Sequence, residues 1–432
     1  MNELKQEKPL KVASVNGIDV FLIKSDKFKT NSINVFFRDF LNRENATLNS
    51  LLPAVLRRGC KALPTSRDIA LYLEELYGAS FDCGVAKKGE IQVMQFYVEG
   101  VSDKYTGGKE SVFENTFDFL LDIITDPVLD NGVFKNEYVE QEKKNLKELI
   151  ESRINDKVQY AVERCFEEIC AGEPFSIYEH GFVEDLDRID PVKLFEYYTE
   201  FLSRLPVSVY IAGNVNGEKI KYAVEKLSRL HRGNVKDIAM GAINPDVSEV
   251  KKIEEKMNIN QGKLSIGFKT GIAANDPGYY KLLVCNVVLG GGMHSKLFQN
   301  VREKASLAYY AFSRLEKFKG LMVISSGIEI KNRDKAEDII LKQLDEIKAG
   351  NISDYEYEST IKTIETGINS LKDSQIQMVD FYLSQDISKT SDDFNSLIEK
   401  VKKVTKSDIV EASKKLKLST VYFLTVSRGR GC

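Results

Sequence analysis

Two rhythms of apolar residues alternate along the chain, one with the period of a strand and one with that of a helix, and their order occurs twice. Residues 15–24 (VNGIDVFLIK) carry an Asn-Gly turn signal followed by a β-rich run, and 32–38 alternate Ile33, Val35 and Phe37 with polar neighbours, which predicts two antiparallel strands. Residues 45–58 (NATLNSLLPAVLRR) have helical spacing, with Asn45 or Thr47 as a cap and Gly59 as the stop. Pro53 inside this run is unexpected, because proline removes a backbone donor and crowds the preceding turn. A second helix is predicted over 66–77 with Ser66 as its cap, then a strand over 90–99 (EIQVMQFYVE). Phe113, Phe117, Leu120, Leu121 and Ile124 fall at helical spacing up to a stop at Pro127, and 134–168 reads as one or two charged surface helices. A loop over 172–188, a helix over 191–204 and a buried strand over 207–212 (VSVYIA) complete the first run.

Weak periodicity with Gly, Asn and Pro around 233–247 marks a linker. Beyond it come a strand over 263–269 and a helix that Asp276-Pro277 starts and Gly290 stops. A second helix over 295–304, a strand over 321–330 and helices over 333–348, 354–370 and 405–416 follow. The closing strand, 420–426 (TVYFLTV), is the counterpart of VSVYIA, and the stretch over 354–370 echoes the charged stretch of the first run. The recurrence predicts an α+β protein of two homologous, duplicated domains, each a mostly antiparallel sheet covered by helices. The expected boundaries are 1–230 and 249–432, with 231–248 as the linker.

Composition narrows the function classes. Of 432 residues, 43% are hydrophobic and 29% charged, an ordinary globular balance with material for more than one core. A net charge of −3, from 61 basic and 64 acidic residues, gives no global field for nucleic acid or an anionic membrane, so neither is expected as a partner. The opening stretch, MNELKQEKPLKVASVNG, lacks the apolar core of a signal peptide or anchor. Cys60, Cys83, Cys165, Cys170, Cys285 and Cys432 form neither a CxxC pair nor a dense framework, which suits reduced thiols and a cytoplasmic location.

The block 290–312 (GGGMHSKLFQNVREKASLAYYAF) carries the most chemistry. Gly290, Gly291 and Gly292 permit close backbone approach, while Arg302 and Tyr309 offer rigid donors suited to the carbonyls of an extended peptide. Read alone, Arg302 is equally a surface helix charge and Tyr309 a core aromatic. The three histidines, His180, His231 and His294, lie far apart and are expected as loop and surface residues. Cys165 and Cys170 have no His, Asp or Asn constellation beside them, which argues against a thiol hydrolase.

With LGGGMHSKLFQNVREKASLAYYAF in the second half and LLPAVLRRGCKALPTSRDIALYLEELYGASFD in the first, the chain resembles the insulinase/pitrilysin peptidase superfamily over nearly its whole length. The resemblance implies that the Gly-rich segment with Arg302 and Tyr309 holds substrate peptide. It also implies an inverted zinc motif, H-x-x-E-H, before Gly59, and here the chain departs. The ligand positions hold Ser50 and Ala54, the general-base position Pro53, and a remnant of the third ligand is expected at Glu148. None of the first three residues can bind zinc or take a proton from water.

In two-chain members of this superfamily one subunit keeps the zinc motif and the other the Arg/Tyr pair. The resemblance therefore implies a catalytically silent subunit with no cofactor of its own, zinc being held by a homologous partner in a heterodimer, or else a homodimer, acting on unfolded peptide. The alternative is a stand-alone scaffold or peptide-binding protein with no peptidase role. Within the superfamily the chain is similar to a bacterial group of paired peptidase-like proteins, one member of which is associated with aminopentanol modification of elongation factor P.

Overall fold

The computed structural model describes residues 8–107 and 111–427. The first half runs β1 (Pro9–Val15), β2 (Ile18–Lys24), β3 (Thr30–Phe40), α1 (Ala46–Leu56), α2 (Ser66–Glu75), β4 (Ser80–Lys88), β5 (Ile91–Val101) and α3 (Val112–Thr125). A short hairpin of β6 (Leu129–Asp130) and β7 (Val133–Phe134) leads to α4 (Asn136–Ser152), α5 (Lys157–Ile169), α6 (Val183–Leu186), α7 (Pro191–Arg204), β8 (Val207–Gly213) and α8 (Gly217–Ser228). The second half runs β9 (Lys251–Met257), β10 (Gly262–Lys269), α9 (Tyr279–Gly290), a π-helix over Phe298–Lys304, β11 (Ala308–Glu316) and β12 (Leu321–Ile328). Then come α10 (Arg333–Lys348), α11 (Asp354–Leu371), α12 (Gln375–Ser388), α13 (Phe394–Lys402), α14 (Lys406–Lys414) and β13 (Lys417–Val426).

The duplication is written in the strand orders. A 6-stranded sheet runs β1-β2-β8-β3-β5-β4 and a 5-stranded sheet runs β9-β13-β10-β12-β11. In both, an opening strand (β2 or β9) pairs in parallel with the last strand (β8 or β13), and every remaining pair is antiparallel. So β4 and β11 hold equivalent edges, each after a helical segment that follows the helix equivalent to α1. The turn between β1 and β2 has Asn16 and Gly17 at φ 50° and 73°, the left-handed pair that an Asn-Gly hairpin requires.

The compact units interleave along the sequence. One gathers the chain up to Glu151, Ile177–Ala239 and Ser374–Ser384; the other gathers Ser152–Ser176, Met240–Asp373 and the chain from Gln385. In the first, Phe37, Phe96, Phe113, Phe201 and the apolar residues of α1 form the core. In the second, Val162, Cys165, Phe166 and Ile169 of α5 pack with Val323, Tyr422 and Leu424 of the sheet. Gly267 makes this approach fit, since a Cβ there would lie 2.4 Å from Ile169 and 2.9 Å from Cys165 Sγ.

The expected strands at 15–24, 32–38, 90–99, 207–212, 263–269 and 420–426 all form, and the helices over 191–204 and 333–348 match residue for residue. Several local readings are corrected. The cap of α2 is Thr65, which forms a reciprocal capping box with Asp68, and not Ser66. The charged stretch over 134–168 is two helices, and α5 is half-buried core rather than surface, its charges drawn into pairs such as Arg153 with Glu163 and Glu167. The loop over 172–188 holds the short helix α6.

Candidate functional site

Helix α1 carries Ser50, Pro53 and Ala54 into a cavity of about 540 Å³, whose other walls are α2, the edge strand β4 and α4. Pro53 lies inside α1 and removes one main-chain donor there; its carbonyl still accepts from Arg57 N at 3.0 Å and from Cys83 Sγ at 3.2 Å. Buried Asn49 anchors the helix, donating to Gln92 Oε1 at 2.9 Å and accepting from the Tyr197 hydroxyl at 2.5 Å.

The carboxylate that reaches this cavity is Glu142; Glu148 is exposed and is not among the lining residues. Both Glu142 oxygens are engaged. Arg58 Nη1 donates to one at 3.3 Å and Asn145 Nδ2 to the other at 3.0 Å. The Arg58 guanidinium also lies 5.1 Å from the Tyr138 ring centroid. A protein cation therefore neutralises the buried carboxylate of the pocket.

One histidine comes to the site, which corrects the expectation of a plain loop residue. His180 Nδ1 and Ser50 Oγ share a hydrogen bond of 2.9 Å across 130 positions of sequence. The loop bearing His180 is held against the start of α1: Gly181 has φ 76° and a Cβ there would lie 2.2 Å from Thr47 Oγ1. Phe182 N donates to that hydroxyl at 3.0 Å, and the hydroxyl donates to Asp185 at 2.8 Å. His294 is not a surface residue either; it is buried and bonded to Thr360 Oγ1 at 2.9 Å, and burial depresses its pKa. His231 is exposed.

This pocket does not fit zinc. Its three expected motif positions offer a hydroxyl, a proline ring and a methyl group, it has a single imidazole, and its carboxylate is already paired with Arg58 and Asn145. Among the described residues no group of three or more His, Cys, Asp or Glu side chains is arranged to hold a metal. Nor is Cys83 an activated nucleophile, since burial pushes its thiol up to about 12.

Gly290, Gly291, Gly292, Arg302 and Tyr309 lie in the other compact unit. Gly290 ends α9 where a Cβ would meet Ser313 N at 2.3 Å, so its smallness serves the packing of α9 on β11. Gly291 is similarly closed in by Val287, at 2.6 Å, whereas Gly292 has only the His294 ring, at 3.3 Å. Arg302 projects from the π-helix with its side chain 45% exposed, stacked on Phe298 at 4.8 Å. Tyr309 is the extra residue of a β-bulge in β11, where the register jumps from Ala308↔Ile328 to Tyr310↔Gly327, and it is 66% exposed. It is thus no core aromatic: the bulge turns it outward, and the half-buried ring is Tyr310.

Sequence reasoning missed Glu142, Arg58 and His180. Glu142 had a signal, because it lies on the buried stripe of α4 with Tyr138, Val139 and Leu146, where a carboxylate needs an explanation. For His180 no local signal existed, as its placement depends on a long-range loop contact.

The family signature described as "Peptidase M16 inactive domain" matches residues 188–364. The chain is 34% identical over 429 residues to the "Probable inactive metalloprotease YmfF" of Bacillus subtilis (strain 168), covering 99% of each. It is 24% identical over 354 residues to "Uncharacterized zinc protease YmxG" of the same organism, covering 80% of each. Among solved structures, a conserved protein from Enterococcus faecalis V583 superposes with a TM-score of 0.90 at 30% identity, covering 98% of this chain and 100% of that one. The peptidase M16 inactive domain from Pseudomonas fluorescens has the same fold, with a TM-score of 0.78 at 15% identity over 98% and 100% of the two chains. A pocket with its metal-binding residues replaced and a relative matched along nearly its whole length lead to one assignment: the chain belongs to the peptidase M16 family, among its inactive homologues.

Proposed function

We propose that this protein is the non-catalytic subunit of a two-chain M16 assembly, binding an extended polypeptide that a homologous, zinc-bearing chain cleaves. The observation that carries the reading is the pocket itself. It is a cavity of about 540 Å³ with a strand as one wall, and its carboxylate, Glu142, is paired with Arg58 and, among the described residues, not with a metal-ligand set.

Peptide binding follows from the wall. Strand β4 is paired only with β5 in its sheet, and Phe81, Cys83 and Val85 alternate along it into the cavity. A peptide added to that free edge would form main-chain hydrogen bonds and set alternate side chains in the pocket. Arg302 and Tyr309 supply exposed donors for the same class of ligand from the second unit. No metal is required of this chain, and the buried cysteines Cys60, Cys165 and Cys285 are thiols, which supports a reducing, cytoplasmic setting.

The test is metal content and peptide hydrolysis of the purified protein, alone and mixed with a relative that retains H-x-x-E-H, with binding of an unfolded fluorescent peptide measured in parallel. The reading requires an inert, peptide-binding protein that raises turnover of the mixture. Peptide binding with an inert mixture moves the function to a scaffold or peptide-binding role, and hydrolysis by the protein alone overturns both.

A further inference from the structure

The first unit holds a second, partly open cavity, separate from the degenerate pocket. It has a volume of about 150 Å³ and lies between the sheet and helices α3, α7 and α8, lined by Phe37, Phe117, Leu120, Ile124 and Leu202, with His231 and Arg232 at one end. A volume of this size is enough for a benzene-sized molecule. Its polar end is what sets it apart. Arg232 Nη2 donates to the Leu205 carbonyl, but Arg232 Nε is shielded from solvent with no hydrogen-bond partner. No acidic side chain lines the cavity, and burial pulls the guanidinium down to about 10, still protonated at neutral pH.

We infer that this cavity binds a small apolar carboxylate, its tail among the Phe and Leu side chains and its carboxylate on Arg232. A buried guanidinium is stable when its donors are met by an anion, and its planar fork matches a carboxylate. A dianionic phosphate would be mismatched to walls that are almost wholly apolar.

The experiment is calorimetric or NMR titration of the full chain with phenylacetate and, separately, toluene. The expected result is saturable binding of phenylacetate, weakened at least tenfold in Arg232→Gln while toluene binding is unchanged. Leu230→Phe, which fills the cavity from its rim, is expected to lose both ligands. Absence of phenylacetate binding at 10 mM (roughly the weakest affinity still distinguishable from bulk partition) overturns the inference. So does equal binding of phenylacetate by the wild type and Arg232→Gln, or binding of toluene alone.

Discussion

Arg58 and Glu142 meet at 3.3 Å inside the pocket, joining the residues just past α1 to the buried stripe of α4. The pair is internal to the site, where Ser50 and His180 are likewise bonded to each other. Arg58→Ala leaves a buried carboxylate with one partner and is expected to cost about 1–3 kcal/mol. The midpoint of urea unfolding measures this, and the double variant Arg58→Met/Glu142→Met should recover most of the loss.

Restoring one group of the zinc motif will not restore the site. Ser50→His, Pro53→Glu and Ala54→His, each made singly, are expected to bind no stoichiometric zinc and to cleave no peptide, because Arg58 and the missing ligands remain. Elemental analysis after zinc dialysis checks this; one zinc per chain in any single variant would mean that the ligands lie elsewhere.

Arg302→Ala and Tyr309→Phe remove exposed donors that fill no core, so stability should stay within about 0.5 kcal/mol of wild type. Peptide affinity, read by fluorescence anisotropy, is expected to fall. Unchanged affinity in both variants removes the role proposed for them.

The glycine run divides by packing. Gly290→Ala forces a Cβ to 2.3 Å from Ser313 N and should destabilise the protein by about 1–3 kcal/mol. Gly292→Ala meets only the edge of the His294 ring at 3.3 Å and should be far milder. Equal melting temperatures for the two variants would show that the α9–β11 contact relaxes freely.

Burial lowers the pKa of His294 below its ordinary 6.5, with the Glu356 carboxylate opposing the shift. The unfolded chain therefore takes up the proton first as pH falls. Stability should be unaffected by this group above about pH 6.5, decline as pH drops from there through the folded pKa, and level off below it. The His294→Gln variant should lose that part of the slope in unfolding experiments between pH 7 and pH 4, conditions chosen to bracket roughly the ordinary histidine range.

The duplicated architecture was legible because burial imposes it on local composition: VSVYIA and TVYFLTV are apolar on both faces and end in matching places in the two sheets. Strand β4 was not legible. Its sequence, SFDCGVAKK, is poor in β-formers and is held extended by pairing with β5. Strand β9 (KKIEEKM) was missed for a related reason, since its apolar positions are few and it is held by pairing with β13, and helices α8, α12 and α13 were missed as well. At the site, Ser50, Pro53 and Ala54 could be placed together on one helix, but the convergence of Arg58, Glu142 and His180 on them depends on the fold.

The interleaving of the two units governs how the protein can be made and dismantled. Residues 374–384 complete the first unit, so it cannot close on a ribosome until most of the second half has emerged, and helix α5 must wait for β13, which ends at residue 426. Folding as the chain emerges, one unit and then the next, is therefore blocked. A cut in the linker would leave each fragment holding part of its neighbour's core. Two units that alternate along one chain in this way are expected to be assembled together.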